Sequence, residues 1–145
     1  MKKWIDYIWA GCWVLIVNDN HDVLLLLRTN KSSSWGEWLW TRPWWWIEFW
    51  ETITEAFKRE ALEEIWVEIE LFWPILFIDD IRKENWKKMH WVSWWTFGRI
   101  IEWKEINMEP DKHKKMEWFN INNLPENIAE YTMHWIEEYK KYILN

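Results

Sequence analysis

Three glutamates, Glu60, Glu63 and Glu64, lie three and four residues apart in a stretch where Ile53, Phe57, Ala61 and Ile65 recur every fourth position and Leu62 widens the apolar stripe. That period belongs to an amphipathic helix, so the spacing predicts a helix over 53–65 with the three carboxylates on another arc. Like charges one turn apart repel by about 0.2–0.5 kcal/mol per pair. A hard divalent cation turns that repulsion into binding. Mg²⁺ takes oxygen ligands and sits between carboxylates and substrate phosphates, where it acidifies water and stabilises phosphoryl charge. The other reading is a solvated helix face partly neutralised by Lys58 and Arg59, and the cluster alone leaves both open.

The order of residues around the cluster narrows the choice. Glu51 is followed by seven residues and then by Arg59-Glu60-Ala61-Leu62-Glu63-Glu64-Ile65-Trp66-Val67. Read from Trp45 to Val67, this resembles the Nudix box of the Nudix (MutT-like) hydrolases, G-x5-E-x7-R-E-U-x-E-E-x-G-U with U aliphatic. Glu51, Arg59, Glu60, Glu63 and Glu64 match at the right spacing, and both glycine positions hold tryptophan, Trp45 and Trp66. The turn before the helix, P-G-G in the family, reads Pro43-Trp44-Trp45 here. A second stretch, NMEPDKHKKMEWFNINNLP from Asn107 to Pro125, is similar to the MEPEK…WDW…LP segment of the Nudix subgroup that hydrolyses nucleoside triphosphates, oxidised ones included.

The resemblance implies an α/β fold, the Nudix α/β/α sandwich with a central mixed sheet between helices, as a single domain over 1–145 with its box over 45–67. It implies Mg²⁺ or Mn²⁺ held by Glu60, Glu63 and Glu64 with the backbone carbonyl of Trp44, and Glu63 and Glu64 as the catalytic carboxylates. Glu51 would pair with Arg59 to orient the ligand helix, and Arg28 would meet substrate phosphate. Glu109 or Asp111 would add a metal-linked carboxylate; beside Lys112, Lys114 and Lys115 these two serve equally well as solvated loop acids. The expected reaction is hydrolysis of a nucleoside diphosphate linked to X, above all a nucleoside triphosphate to the monophosphate and pyrophosphate. The intact R-E-U-x-E-E motif from Arg59 to Glu64 separates the chain from the Nudix branch that cleaves GDP-sugars at carbon. Two other readings stand beside this one: a catalytically silent Nudix domain that binds or scaffolds, its tryptophans filling the cleft, and an engineered Trp-rich variant.

The elements that must position these residues follow from the flanking sequence. Ile8–Val17 and Val23–Arg28 are β-prone runs around the turn formers 18–22, which predicts a hairpin. A second hairpin is expected from the segments before Ile81 and the run Met89–Ile101, with the charged residues 82–88 as its turn. Trp40, before the box, reads as core. Ile128, Tyr131, Trp135, Tyr139 and Tyr142 repeat at helical spacing behind Asn127, a candidate N-cap. His21, His90, His113 and His134 have no partner at metal-ligand spacing.

Composition sets the frame. A chain of 145 residues can bury a sizeable core as one domain. A net charge of −6 argues against a nucleic-acid polymer as partner and is compatible with a small-molecule nucleotide carried with its cation. The single cysteine, Cys12, allows no internal disulfide and suits a reducing, cytoplasmic setting. The opening residues read as a strand rather than a leader, since Asp6 interrupts them, and no stretch is apolar enough to span a bilayer, so no membrane partner is expected. Nineteen tryptophans against three glycines invert ordinary usage, and Trp13, Trp44, Trp45, Trp50, Trp66 and Trp103 sit where a small residue is expected. So much indole leaves self-association, as a homodimer for example, open.

Overall fold

The computed structural model describes residues 8–31, 37–84 and 87–145. The opening residues through Asp6 lie outside the described residues. Strand β1 is Trp9–Ile16 and β2 is Asp22–Arg28. Along β1, Cys12, Val14 and Ile16 bury on one face and Leu15 on the other, and along β2, Leu24 and Leu26 alternate with Val23 and Leu25. That period of two, apolar on both sides, belongs to strands covered on both faces. The first face packs on Ala56, Phe57, Ala61 and Ile65 of helix α1 (Ile53–Ile65), the second on Ile136 and Tyr139 of helix α2 (Glu130–Tyr139). Helices therefore cover both sides of the strands, the expected α/β/α layering.

The first hairpin is not formed as expected. Asn18 Oδ1 accepts from the backbone N–H groups of Asn20 and Asp22, both at 2.9 Å, which closes the turn. Yet β1 and β2 share only the bridge Val17↔Val23 among the described residues, and then part into different sheets. Each strand finds a longer partner elsewhere: β1 runs parallel to β7 (Lys87–Glu102) over Trp9↔Trp91 to Ile16↔Gly98, and β2 pairs antiparallel with β8 (His113–Asn120). The short strand β3 (Trp40–Thr41) completes the sheet β3-β2-β8, and β4 (Trp44–Trp46) lies antiparallel to β1.

The second hairpin forms, with β6 (Leu76–Glu84) antiparallel to β7 from Leu76↔Trp95 to Glu84↔Lys87. Charged residues that looked like its turn instead prolong both strands. Past β6, the same edge of β7 pairs with β5 (Glu68–Leu71), so the larger sheet is mixed. Gly98 sits where β1 and β5 both press on β7: a Cβ there would meet Val14 Cγ2 at 3.1 Å and the Glu70 carbonyl at 3.4 Å.

Helix α1 begins at a capping box. The Thr52 hydroxyl accepts from Glu55 N at 3.2 Å, and the Glu55 carboxylate accepts from Thr52 N at 2.7 Å. Thr52→Ala is expected to cost about 1 kcal/mol of stability, readable as a lower denaturant midpoint at unchanged slope. Helix α2 starts later than its sequence pattern implies and Asn127 does not cap it. The Asn127 side chain donates to the Trp38 carbonyl at 2.7 Å, and its own carbonyl accepts from Trp40 N at 2.9 Å. Residues 127–129 are thus held alongside Trp40 as a strand-like bridge, and the helix begins after it. After Tyr139 the chain continues as a short π-helical turn, Lys140–Leu144.

Four tryptophans occupy left-handed backbone: Trp38 (φ 61°), Trp50 (φ 71°), Trp66 (φ 58°) and Trp103 (φ 65°). For a residue with a Cβ that region costs roughly 1–2 kcal/mol, and glycine enters it freely. Trp66 ends α1, in the place where helices favour glycine, and its N–H bonds Leu62 O at 3.1 Å. Trp44 and Trp45 differ, because they lie in the extended strand β4.

Candidate active site

The end of α1 and the chain after β7 build one site between them. Ile106 N donates to Ile65 O and Met108 N to Glu64 O, both at 2.9 Å, which satisfies two carbonyls of the helix C-terminus and lays residue 109 beside residue 64. A tight turn follows. Lys112 N and His113 N both donate to the Glu109 carbonyl at 3.0 Å, while Asn107 clasps the turn, accepting from Glu109 N at 3.1 Å and donating to His113 O at 2.6 Å. As a result one ligand atom each from Glu64, Glu109 and His113 lie within 4.8 Å of one another.

Each of these side chains is held differently. Glu109 Oε1 accepts from Lys112 Nζ at 2.6 Å, whereas Oε2 is buried and receives no hydrogen bond. Glu64 Oε2 accepts from the indole N–H of Trp45 at 2.6 Å. His113 is buried and makes no side-chain hydrogen bond among the described residues. Burial raises the Glu64 carboxyl well above the ordinary range; the Trp45 N–H opposes this and the facing Glu109 adds to it. Glu109 moves the other way, because burial is outweighed by the Lys112 ammonium and the neighbouring Glu64 carboxyl, so the proton of this coupled pair rests on Glu64. Burial pushes the His113 imidazole down to about 4, which keeps it neutral at physiological pH.

This arrangement fits a divalent cation. Two carboxyl groups and a neutral imidazole bring one ligand atom each within 4.8 Å of one another, and an ion there would satisfy all three. No spacing rule marked His113. Its partners are Glu109, four residues back in a loop, and Glu64, on a helix far away in sequence, so only the fold brings them together.

The remaining acids of the helix are tied up elsewhere. Arg59 grips Glu51 through both its oxygens (Nε to Oε2 2.9 Å, Nη2 to Oε1 2.7 Å), and Nη2 also donates to the Trp46 carbonyl at 3.1 Å. Its Nη1 lies 3.1 Å from both Glu60 Oε1 and Glu63 Oε2. Such a bidentate pair fixes the guanidinium plane, so Glu60 and Glu63 share Arg59 while Glu64 joins Glu109 and His113. Glu60 is largely buried, which raises its carboxyl; Arg59 opposes this. Glu63 is the most exposed of the three, at 60%. Asp111 is set apart from the site, 87% exposed and 3.8 Å from Lys31 Nζ. Trp44 pairs across β4 with Trp13, and its ring lies against those of Trp13 and Trp46. Arg28 is 1% exposed, at a bulge opposite His113, rather than on the open surface. A groove of about 530 Å³ along Thr54, Lys58, Glu70 and Trp73 does not include the carboxylate cluster.

Burial of Glu64 makes a signed prediction. Its pKa in the folded chain is raised from 4.5 to about 8, so its contribution to stability is present below 4.5 and is lost as pH rises towards 8. With chelator present, Glu64→Gln should therefore gain thermal stability over the unaltered chain as pH rises between those values. A difference that stays flat with pH would show that Glu64 is not buried against Glu109.

Comparison with known proteins places this geometry. The NUDIX domain family model matches residues 9–139. The fold is similar to the crystal structure of a MutT NUDIX hydrolase from Burkholderia pseudomallei, with a TM-score of 0.74 at 25% identity over 91% of this chain and 98% of that one. It is also similar to a MutT protein from Methanosarcina mazei Go1 (TM-score 0.68, 18% identity, 97% of this chain and 96% of that one). A NUDIX-family hydrolase from Clostridium perfringens matches with a TM-score of 0.66 at 20% identity, over 91% of this chain and 95% of that one. A family match over most of the chain, carried by a fold that brings the box helix to the loop at residue 109, shows that the chain belongs to the Nudix family of hydrolases.

Proposed function

We propose that the protein hydrolyses a nucleoside diphosphate linked to X, with a nucleoside triphosphate cleaved to the monophosphate and pyrophosphate as the leading substrate class and Mg²⁺ or Mn²⁺ as cofactor. The observation that carries this reading is the meeting of Glu64 and Glu109, because each comes from one of the two sequence segments that resemble the family. Glu60, Glu63 and Glu64 are the proposed metal residues of the helix, with the Trp44 carbonyl, and Glu109 joins them from the loop; Asp111 points elsewhere. When bound, a divalent ion supplies charge to offset that of the phosphoryl oxygens and lowers the pKa of water. Glu63 and Glu64 are the proposed catalytic carboxylates. Glu63, the most exposed of the three and ion-paired with Arg59, is the proposed base that takes a proton from the attacking water as the phosphoanhydride breaks and pyrophosphate leaves. Glu51 and Arg59 orient the helix, and Arg28 contributes buried positive charge behind His113 towards substrate phosphate. A cytoplasmic setting and a soluble nucleotide partner go with this reading; no described helix is long and apolar enough to cross a membrane. Self-association into a homodimer is proposed through exposed indoles such as Trp50, 91% exposed, and sedimentation against concentration would test it.

Incubation with a panel of nucleoside triphosphates, ADP-ribose and nucleotide sugars plus Mg²⁺ or Mn²⁺, followed by inorganic pyrophosphatase and phosphate detection, tests the reaction. Pyrophosphate from triphosphates supports it. Turnover of none of them contradicts it.

One observation favours a second reading, a silent Nudix domain. The Trp45 indole fills a glycine position of the box and donates to Glu64, the residue most needed for metal. Trp45→Phe keeps the ring packed against Phe57 and removes the N–H. If the indole holds Glu64 out of use, this variant binds Mn²⁺ at least about tenfold more tightly than the unaltered chain, the scale on which neighbours of a ligand act. If affinity falls or stays level, Trp45 is not what silences the site.

A further inference from the structure

The imidazole of His113 presents an unusual combination. It is 8% exposed, makes no hydrogen bond among the described residues, and has a ring nitrogen within 4.8 Å of ligand oxygens of both Glu64 and Glu109. An imidazole this little exposed, with a ring nitrogen beside two carboxyl groups, is positioned to share an ion with them. We propose that His113 is itself a ligand of the ion this site takes, so that the donor set is two carboxylates and one imidazole, and that the site prefers first-row transition-metal dications to Mg²⁺. This inference rests on the metal-site reading above and goes beyond it in naming a nitrogen ligand and the ion class it selects.

The backbone supports the assignment. His113 is the first residue of β8, and its peptide is pinned on both sides, N–H to the Glu109 carbonyl at 3.0 Å and carbonyl to Asn107 Nδ2 at 2.6 Å. The turn that delivers Glu109 therefore delivers the imidazole as well. Glu109 Oε2 is buried with no donor, and one carboxylate oxygen of Glu109 lies within 4.8 Å of the ligand atoms of Glu64 and His113. Mg²⁺ demands an octahedral shell of oxygen, much of it water, and gains little from a nitrogen donor. Imidazole suits the later transition metals, and two carboxylates with one histidine leave open positions on such an ion for water or phosphate oxygen.

The test uses the full chain and three probes, Co²⁺, Mg²⁺ and Mn²⁺. Calorimetry should find Co²⁺ bound at least about tenfold more tightly than Mg²⁺, and His113→Gln should lower Co²⁺ affinity by at least about tenfold while Mg²⁺ affinity changes by less than about twofold. Pulsed EPR of Mn²⁺ on the unaltered chain should show coupling to a ¹⁴N nucleus, which is absent in His113→Gln. That signal decides the question even if the variant folds poorly. Mn²⁺ that binds, and is lost in Glu64→Gln, yet shows no nitrogen coupling would overturn the role of His113 and leave the metal site standing. Failure of the unaltered chain to bind any of the three ions would overturn both.

Discussion

Glu64→Gln is expected to lower the proposed nucleoside triphosphate hydrolysis about a thousandfold, the equivalent of about 4 kcal/mol of transition-state stabilisation. Glutamine keeps the shape of the side chain and an oxygen to accept the Trp45 N–H, now 2.6 Å from the carboxylate, so the fold has no reason to change. What disappears is the charge. The same substitution stabilises the chelated chain as pH rises, because a carboxylate pressed against Glu109 no longer has to ionise. Activity lost and stability gained at one residue is the mark of a group kept for chemistry at the expense of the fold. Steady-state phosphate release after pyrophosphatase treatment reads the first effect, and a loss smaller than about threefold, under about 1 kcal/mol, would remove Glu64 from the reaction.

Placing glycine at the four left-handed positions, as Trp38→Gly, Trp50→Gly, Trp66→Gly and Trp103→Gly together, should raise the melting temperature by about 10 °C. Each site relieves roughly 1 kcal/mol of backbone strain, and about 1 kcal/mol is worth a few degrees in a domain of this size. Little packing is lost, since Trp50 is 91% exposed and the other three are about half exposed. Trp66 and Trp103 have ring centroids 6.4 Å apart, so their gains will not be strictly additive. Trp45→Gly serves as the opposite control. Trp45 is 1% exposed in extended strand β4, and removing its ring from the core should cost about 3–5 kcal/mol. If all five substitutions changed stability alike, backbone conformation would not be what distinguishes these positions.

The parts of this structure legible in the sequence were those fixed by local period. The apolar stripe of α1 and the β-prone runs of β1 and β2 each report buried faces directly, whereas the pairing of Glu51 with Arg59 came only from the resemblance to the Nudix box. What the sequence could not show was decided by non-local competition. The turn after Val17 looks like a hairpin turn, yet β1 and β2 find longer partners in β7 and β8. Asn127 has the chemistry of a cap and is drawn off by the Trp38 carbonyl. At the site, Glu109 was visible as one of two loop acids, but only the hydrogen bonds from residues 106 and 108 to the end of α1 separate it from Asp111. His113 carried no signal, because the carboxylate that completes its grouping with Glu109, that of Glu64, lies on a helix far away in sequence. The division of the helix acids, Glu60 and Glu63 on Arg59 and Glu64 towards the loop, depends on rotamers that no spacing rule describes.

Direct titration of the chain with Mn²⁺, read by loss of the free-ion EPR signal, bears most closely on the claim that Glu64 and Glu109 together hold the ion. One ion bound by the unaltered chain, weakened at least about tenfold in both Glu64→Gln and Glu109→Gln, is the expected result. Equal binding in the unaltered chain and both variants would mean that the ion sits elsewhere and that the meeting of helix and loop does not make the site.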